Sequence, residues 1–290
     1  MSASPQRSVR SLLNDAVIVL RDAGVPTPDV DAELLIGHVL GERRGRVQAL
    51  AVTDAPVAAE QAASVTQLVQ RRAAREPLQH ITGTAAFRSI ELAVGPGVFV
   101  PRPETELVAQ FAIDALRAAA SGEPIGVDLG TGSGAIALAM ATEVPHARVY
   151  GIENSAEAYA WTQRNFVAVA PENATAVFGD LADALPELNG QVAVVISNPP
   201  YVPTDAIPRD PEVRLFDPAH ALYGGVDGLD VVHAVSATAR RLLYPGGTLV
   251  IEHGELQGAA VRDLLTADGW RAAATHPDLT TRDRATTAIR

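Results

Sequence analysis

Ile125-Gly126-Val127-Asp128-Leu129-Gly130-Thr131-Gly132-Ser133-Gly134 is an apolar pentamer that runs into alternating glycines, with the apolar stretch Ala135–Ala141 behind it. Five residues bounded by a glycine cluster have the length of a buried strand, not of a helix. Glycines in the turn reach backbone conformations closed to other residues and let a ligand approach the main chain without meeting a Cβ. Strand, glycine turn and helix together form the opening unit of a parallel sheet that takes a ligand at its carboxyl end.

Working outward, Ala147–Ile152, Ala174–Phe178, Val192–Ser197 and Thr248–Glu252 repeat the short apolar run. Ala135–Ala141, Ala156–Val169, Asp227–Leu243 and Leu256–Ala267 read as the helices between them. This alternation predicts the α/β class, a doubly wound and mostly parallel sheet with helices on both faces. Trp270–Ala274 and Arg284–Ile289 alternate as edge strands should. Upstream the period is helical: Val9, Leu12, Leu13, Ala16, Val17 and Leu20 recur at helix spacing, and Asp29 is placed to cap a second helix through Leu35 and Ile36. A third helix carries Ala62, Val65, Leu68 and Val69 until Pro77 stops it, making a bundle of three or four helices. Phe87, Ile90, Leu92 and Val94 among Gly83, Gly95 and Gly97 read as a β-hairpin, and Glu104 and Glu106 occupy the first turn of a helix after Pro101. The expected organisation is a helical domain over 1–79, a hairpin linker over 80–100 and a catalytic domain over 101–290.

Composition narrows the chemistry. All 23 basic residues are arginine and there is no cysteine, which removes lysine Schiff bases, the P-loop lysine, thiolate nucleophiles and cysteine metal sites. The seven histidines show no metal-ligand spacing, so no metal is expected. Residues 1–100 balance ten arginines with ten acids, whereas 101–290 carry thirteen arginines against twenty-four acids. An acidic catalytic domain is a poor generic binder of phosphate backbones. Arg43, Arg44 and Arg46, and Arg71, Arg72 and Arg75, read as solvated helix faces. Met1–Arg10 is polar and no apolar run reaches the roughly 18 residues of a membrane span, so a cytoplasmic protein is expected.

Glu153 stands at the end of the second strand, nineteen residues after Gly134, where a doubly wound fold places the acid that binds ribose hydroxyls. Asp180 ends the third strand, placed to meet an adenine edge. The turn reads Gly-Thr-Gly-Ser-Gly and not the G-x-G-x-x-G of a pyrophosphate binder, which favours S-adenosylmethionine over a dinucleotide. After the fourth strand come Ser197-Asn198-Pro199-Pro200-Tyr201. An amide or exocyclic amine is a poor nucleophile because its lone pair is delocalised, and it must be oriented by acceptors on its two N–H groups. The Asn198 oxygen and the Pro199 carbonyl supply them. Pro199 and Pro200 stiffen the turn, and Tyr201 offers an aromatic face to a planar group and to developing positive charge. Rate then comes from alignment, not from acid–base residues.

The chain resembles the peptide chain release factor glutamine methyltransferases, the HemK/PrmC type. The resemblance rests on Arg75-Glu76-Pro77-Leu78, Val100-Pro101-Arg102-Pro103-Glu104-Thr105-Glu106, the glycine turn, Ser197–Tyr201, Ala221–Asp230, Pro245-Gly246-Gly247 and Arg282-Asp283-Arg284. It implies a class I methyltransferase fold and methylation of the glutamine amide in the Gly-Gly-Gln loop of release factors, leaving S-adenosylhomocysteine. Gly130, Thr131, Gly132, Ser133, Gly134 and Glu153 would bind the cofactor, with Asp180 and Leu181 at its adenine. Asn198 would lie between cofactor and substrate, and Asn198, Pro199, Pro200 and Tyr201 would hold the glutamine. Several relatives have tryptophan where this chain has Leu181, replacing adenine stacking by aliphatic packing. The helical domain is expected to recognise the protein substrate, and the enzyme to work as a monomer without binding nucleic acid or membrane. A methyltransferase of adenine N6 or guanine N2 is the alternative, since it uses the same Asn-Pro-Pro-Tyr logic. A module that binds cofactor without turnover is a third reading, against which the intact motifs argue.

Overall fold

The computed structural model describes residues 7–169 and 172–290; Met1–Gln6, part of the polar N-terminal segment, lie outside the described residues. In chain order the elements begin with α1 (Val9–Asp22), α2 (Pro28–Leu40), α3 (Arg44–Val52), α4 (Ala59–Ala73), α5 (Leu78–Thr82), β1 (Thr84–Phe87), β2 (Ile90–Ala93) and α6 (Pro103–Ala118). They continue with β3 (Ile125–Leu129), α7 (Ala135–Glu143), β4 (Arg148–Glu153), α8 (Ala156–Val169), β5 (Ala174–Phe178) and β6 (Val192–Ser197). The last are α9 (Pro211–Phe216), α10 (Ala219–Leu222), α11 (Asp230–Leu242), β7 (Leu243–Glu252), α12 (Gly258–Ala267), β8 (Arg271–Pro277) and β9 (Asp283–Ile289). Residues up to Gly83 together with Arg209–Phe216 form one compact unit; Thr84–Pro208 with Asp217–Arg290 form the other.

In the helical unit, Leu12, Ala16 and Leu20 of α1 bury against a core that includes Leu35 and Ile36 of α2 and Val65 and Val69 of α4. The second helix starts before Asp29: Pro28 takes the first helical position, where its missing N–H costs nothing, and Thr27 precedes it. Residues 80–82, expected in the hairpin linker, close the one-turn helix α5, which runs from Pro77 to a left-handed Gly83. Arg72 is no solvated residue. It is 4% exposed, with Nε donating to Asp31 Oδ2 at 2.7 Å and Nη2 to Glu212 Oε1 at 2.7 Å. Arg75 Nη2 donates to the same Glu212 oxygen at 2.9 Å and its Nη1 to the Gly24 carbonyl at 2.6 Å. The partners come from distant sequence, so helical periodicity alone reads these arginines as surface.

The other unit holds a seven-stranded sheet in the order β5-β4-β3-β6-β7-β9-β8. β3 to β7 run parallel, while β9 is antiparallel to both of its neighbours. Arg284–Ile289 therefore does not lie at an edge: β9 sits between β7 and β8, and β8 alone of the pair is terminal. Arg284, Ala285, Thr286 and Ala288 are all buried, as an interior strand requires, whereas the alternation of residue types along the sequence is shared by interior antiparallel and edge strands. One face of the sheet packs against α6, α7 and Phe166 of α8, and the other against α11 and α12. The chain starts at β3, winds out to β5, and returns to β6 on the opposite side of β3. That reversal is where open α/β sheets bind ligands.

Candidate active site

The parallel register brings the strand ends into one row. Leu129 of β3 pairs with Ile152 of β4 and with Ser197 of β6, and Ser197 pairs with Ile251 of β7. One residue further on stand Gly130, Glu153, Asn198 and Glu252, at adjacent strands about 4.8 Å apart. Gly130, Gly132 and Gly134 all have positive φ (74°, 56° and 88°), and a Cβ on Gly130 or Gly132 would meet nothing within 4 Å. The turn thus leaves open space over its backbone. Glu153 Oε2 accepts from Gly132 N and Oε1 from Ser155 N, each at 2.8 Å, so this carboxylate shapes the turn and retains lone pairs for further donors. Thr131 and Ser133 are buried, and the Thr131 hydroxyl donates to Asp128 Oδ2 at 2.6 Å; toward a ligand they present backbone, not side chain.

Asp128 is fully buried, and its Oδ2 accepts from Thr131 and from Ala137 N at 3.2 Å while Oδ1 has no partner. Burial pushes its carboxyl up to about 7 against those two hydrogen bonds, with the charge of Glu153 adding to the rise. At the end of β5, Asp180 is exposed and its Oδ1 accepts from Ala182 N at 2.9 Å; Leu181 is half-buried against the core under α11.

Asn198 is half-buried and Pro199 buried, and Asn198 Nδ2 lies 3.5 Å from Thr105 Oγ1 in the first turn of α6. Gln257 clamps the turn: its Nε2 donates to the carbonyls of Tyr201 at 3.0 Å and Asp227 at 3.1 Å. The stretch 221–230 lies directly on the same backbone. A Cβ on Gly224 would come within 2.3 Å of the Pro200 carbonyl oxygen, and one on Gly228 within 2.2 Å of that of Tyr201. Burial, then the charge of Glu252, raises the pKa of the Tyr201 phenol well above its ordinary value, so it stays neutral. Glu252 itself is 1% exposed.

A glycine cradle beside a rigid, neutral Asn-Pro-Pro-Tyr turn is the arrangement that the sequence reading requires for methyl transfer to nitrogen. Comparison with known proteins places the chain. Residues 11–83 match a model described as the PrmC N-terminal domain, and residues 89–223 one described as the methyltransferase small domain. A release factor glutamine methyltransferase from Streptomyces coelicolor is 50% identical over 93% of both chains. The chain belongs to this family. A second member, from Bifidobacterium longum, is 44% identical over 95% of this chain and 97% of its own. A 16S rRNA N2 methyltransferase from T. thermophilus, solved with AdoMet and guanosine, shares the fold at a TM-score of 0.52 and 23% identity, covering 71% of this chain and 49% of that one.

Family membership makes the chain an S-adenosylmethionine-dependent methyltransferase. Its residues fit that cofactor: open space over Gly130 and Gly132, lone pairs left on Glu153, and a buried unpartnered oxygen on Asp128 to meet a cationic donor. Asp128 lies against the glycine turn, and Thr105, Glu252 and Gln257 lie against the Asn-Pro-Pro-Tyr turn; the sequence reading assigns none of the four a role. A signal for Glu252 existed, since it is a fourth acid at a strand end, after Asp128, Glu153 and Asp180. Nothing in the sequence marks Gln257. Among the described residues, no helix is long and apolar enough to cross a membrane.

Proposed function

We propose that this enzyme methylates the side-chain amide nitrogen of the glutamine in the Gly-Gly-Gln loop of peptide chain release factors, and that its acceptors are proteins, not nucleic acids. The observation that carries the proposal is the clamped Asn198–Tyr201 turn one strand away from the glycine cradle, in a chain whose relatives are named for this activity. When bound, S-adenosylmethionine supplies an electrophilic methyl group on sulfur, so the leaving group needs no further activation. The chain's own task is orientation. Asn198 Oδ1 and the Pro199 carbonyl take the two amide N–H groups, Pro200 stiffens the turn, and the neutral Tyr201 ring lies against the planar amide. Gly130–Gly134 and Glu153 would hold the cofactor, with Asp180 and Leu181 at its adenine. The helical unit supplies affinity for the body of the release factor, because a single glutamine in a loop offers little surface.

The nucleic-acid reading has the same turn but no matching electrostatics: the chain carries a net −11, and Asp128, Glu153 and Glu252 stand at the strand ends. Incubation with methyl-labelled S-adenosylmethionine and, separately, release factor, tRNA, rRNA and DNA tests the proposal. One label per release factor is expected, abolished when its Gly-Gly-Gln glutamine is replaced. Label on nucleic acid and none on release factor would refute the assignment.

A further inference from the structure

Glu252 has no part in the account above, yet it occupies a costly position. It closes β7 one residue beyond the Ser197–Ile251 pair, 1% exposed, and its Oε2 is buried without a hydrogen-bond partner. Among the described residues no arginine comes within salt-bridge distance of it; Arg284, the cation whose field acts on it, contacts Asp278 instead. Burial pushes its carboxyl up to about 7, opposed first by a hydrogen bond from Thr105, then by Arg284 and more weakly by Asn198, while Glu104 adds to the rise. A strand end that needed only packing would carry leucine or methionine here.

The two ends of an asparagine amide have nearly the same shape, and only hydrogen bonding tells them apart. For methyl transfer the difference decides everything. Oδ1 toward the substrate accepts an amide N–H, whereas Nδ2 there presents a donor to another donor. Above about pH 7 Glu252 is ionised and has no proton to give, so the Thr105 hydroxyl donates to it. Its lone pairs are then left to face Asn198, whose Nδ2 stands 3.5 Å away. That separation is at the outer limit of a hydrogen bond, as catalytic contacts often are before substrate arrives. Both acceptors therefore draw the NH₂ end inward.

We propose that Glu252 and Thr105 are positioning residues that fix the Asn198 amide with Oδ1 turned outward, toward the substrate nitrogen. The inference rests on the reading of Asn198 as acceptor for the glutamine amide. Glu252→Leu removes the acceptor for the Thr105 hydroxyl, which is then free to turn its proton toward Asn198. Thr105→Val keeps the shape and breaks the relay, and Thr105→Ser restores it.

Steady-state methylation of intact release factor at pH 8, where Glu252 is ionised, with each substrate varied, reads the effect. Glu252→Leu and Thr105→Val should each lower kcat at least tenfold, with both KM values within threefold of wild type, and Thr105→Ser should recover most of the rate lost in Thr105→Val. An independent readout uses unaltered enzyme labelled with ¹⁵N in asparagine side chains. The Asn198 Nδ2 protons, identified by their loss in Asn198→Asp, should exchange slowly with solvent, and quickly in Thr105→Val. Rapid exchange in the wild type, or full kcat in folded Thr105→Val and Glu252→Leu, would overturn the proposal. If the wild-type enzyme leaves release factor unlabelled, the substrate reading fails, while the exchange measurement still decides the orientation of Asn198. A Glu252→Leu protein that does not fold leaves Thr105→Val and the exchange rates to decide.

Discussion

Asp128 and Glu252 are buried carboxyls, both pushed up to about 7 by burial, and both held among uncharged hydrogen-bond donors. A carboxyl whose folded pKa is raised binds its proton more tightly in the native state. Its stabilising contribution is full below the unfolded value near 4 and is lost as pH rises through about 7. Asn can keep the acceptor to Thr131 and Ala137 without the charge. Asp128→Asn is therefore expected to be more stable than wild type at pH 8, by an amount on the order of a few kcal/mol, with the gap closing toward pH 4. Urea unfolding at both pH values measures it; a gap that persists at pH 4 would mean that ionisation is not the cause. Cofactor affinity should fall in the same variant, since the unpartnered Oδ1 is lost. Glu153→Ala removes an acceptor for ribose and also frees Gly132 N and Ser155 N, which it now holds. Charge-assisted hydrogen bonds are worth about 1.5–3 kcal/mol, so S-adenosylmethionine should bind roughly ten- to a hundredfold more weakly by calorimetry. Unchanged affinity would take Glu153 out of the site.

At the scale of elements, the stiffness of the Asn-Pro-Pro-Tyr turn comes from outside it. Two prolines restrict its φ angles, but Gln257 and the glycine stretch before α11 fix where it lies. Gly224 is needed because the Pro200 carbonyl occupies the space of a Cβ, a close approach between backbones that only glycine allows. Gly224→Ala should fold and bind cofactor with near-normal affinity, because the cradle lies on the β3 side. Its kcat should drop tenfold or more, since small misplacements of a reacting group cost about a hundredfold. A Gly224→Ala enzyme with normal kcat would show that the turn tolerates displacement by its neighbour.

For the whole molecule, the helical unit includes Arg209–Phe216, which follows the Asn-Pro-Pro-Tyr turn in sequence by only a few residues. Glu212 from that segment meets the buried Arg72 and the half-buried Arg75, so removing the N-terminal helices alone would strand a carboxylate. The informative truncation deletes 1–83 and replaces 209–216 with a glycine-serine stretch of equal length. It should bind S-adenosylmethionine much as the full chain does and lose most methylation of intact release factor. Undiminished activity on the whole protein would assign the helices another purpose. Local patterns sufficed for much of this: strand and helix periods gave the α/β class, and the glycine turn and Asn-Pro-Pro-Tyr are legible as turns at the carboxyl ends of adjacent strands, because such signals lie within a few consecutive residues. Tertiary structure alone decided that β9 lies inside the sheet, that Arg72 is buried, and that Glu252 stands behind Asn198 next to Thr105. Each of these depends on residues far apart in the sequence being brought together by strand register and helix packing. Periodicity in a chain reports which face a residue takes, not what it will find there.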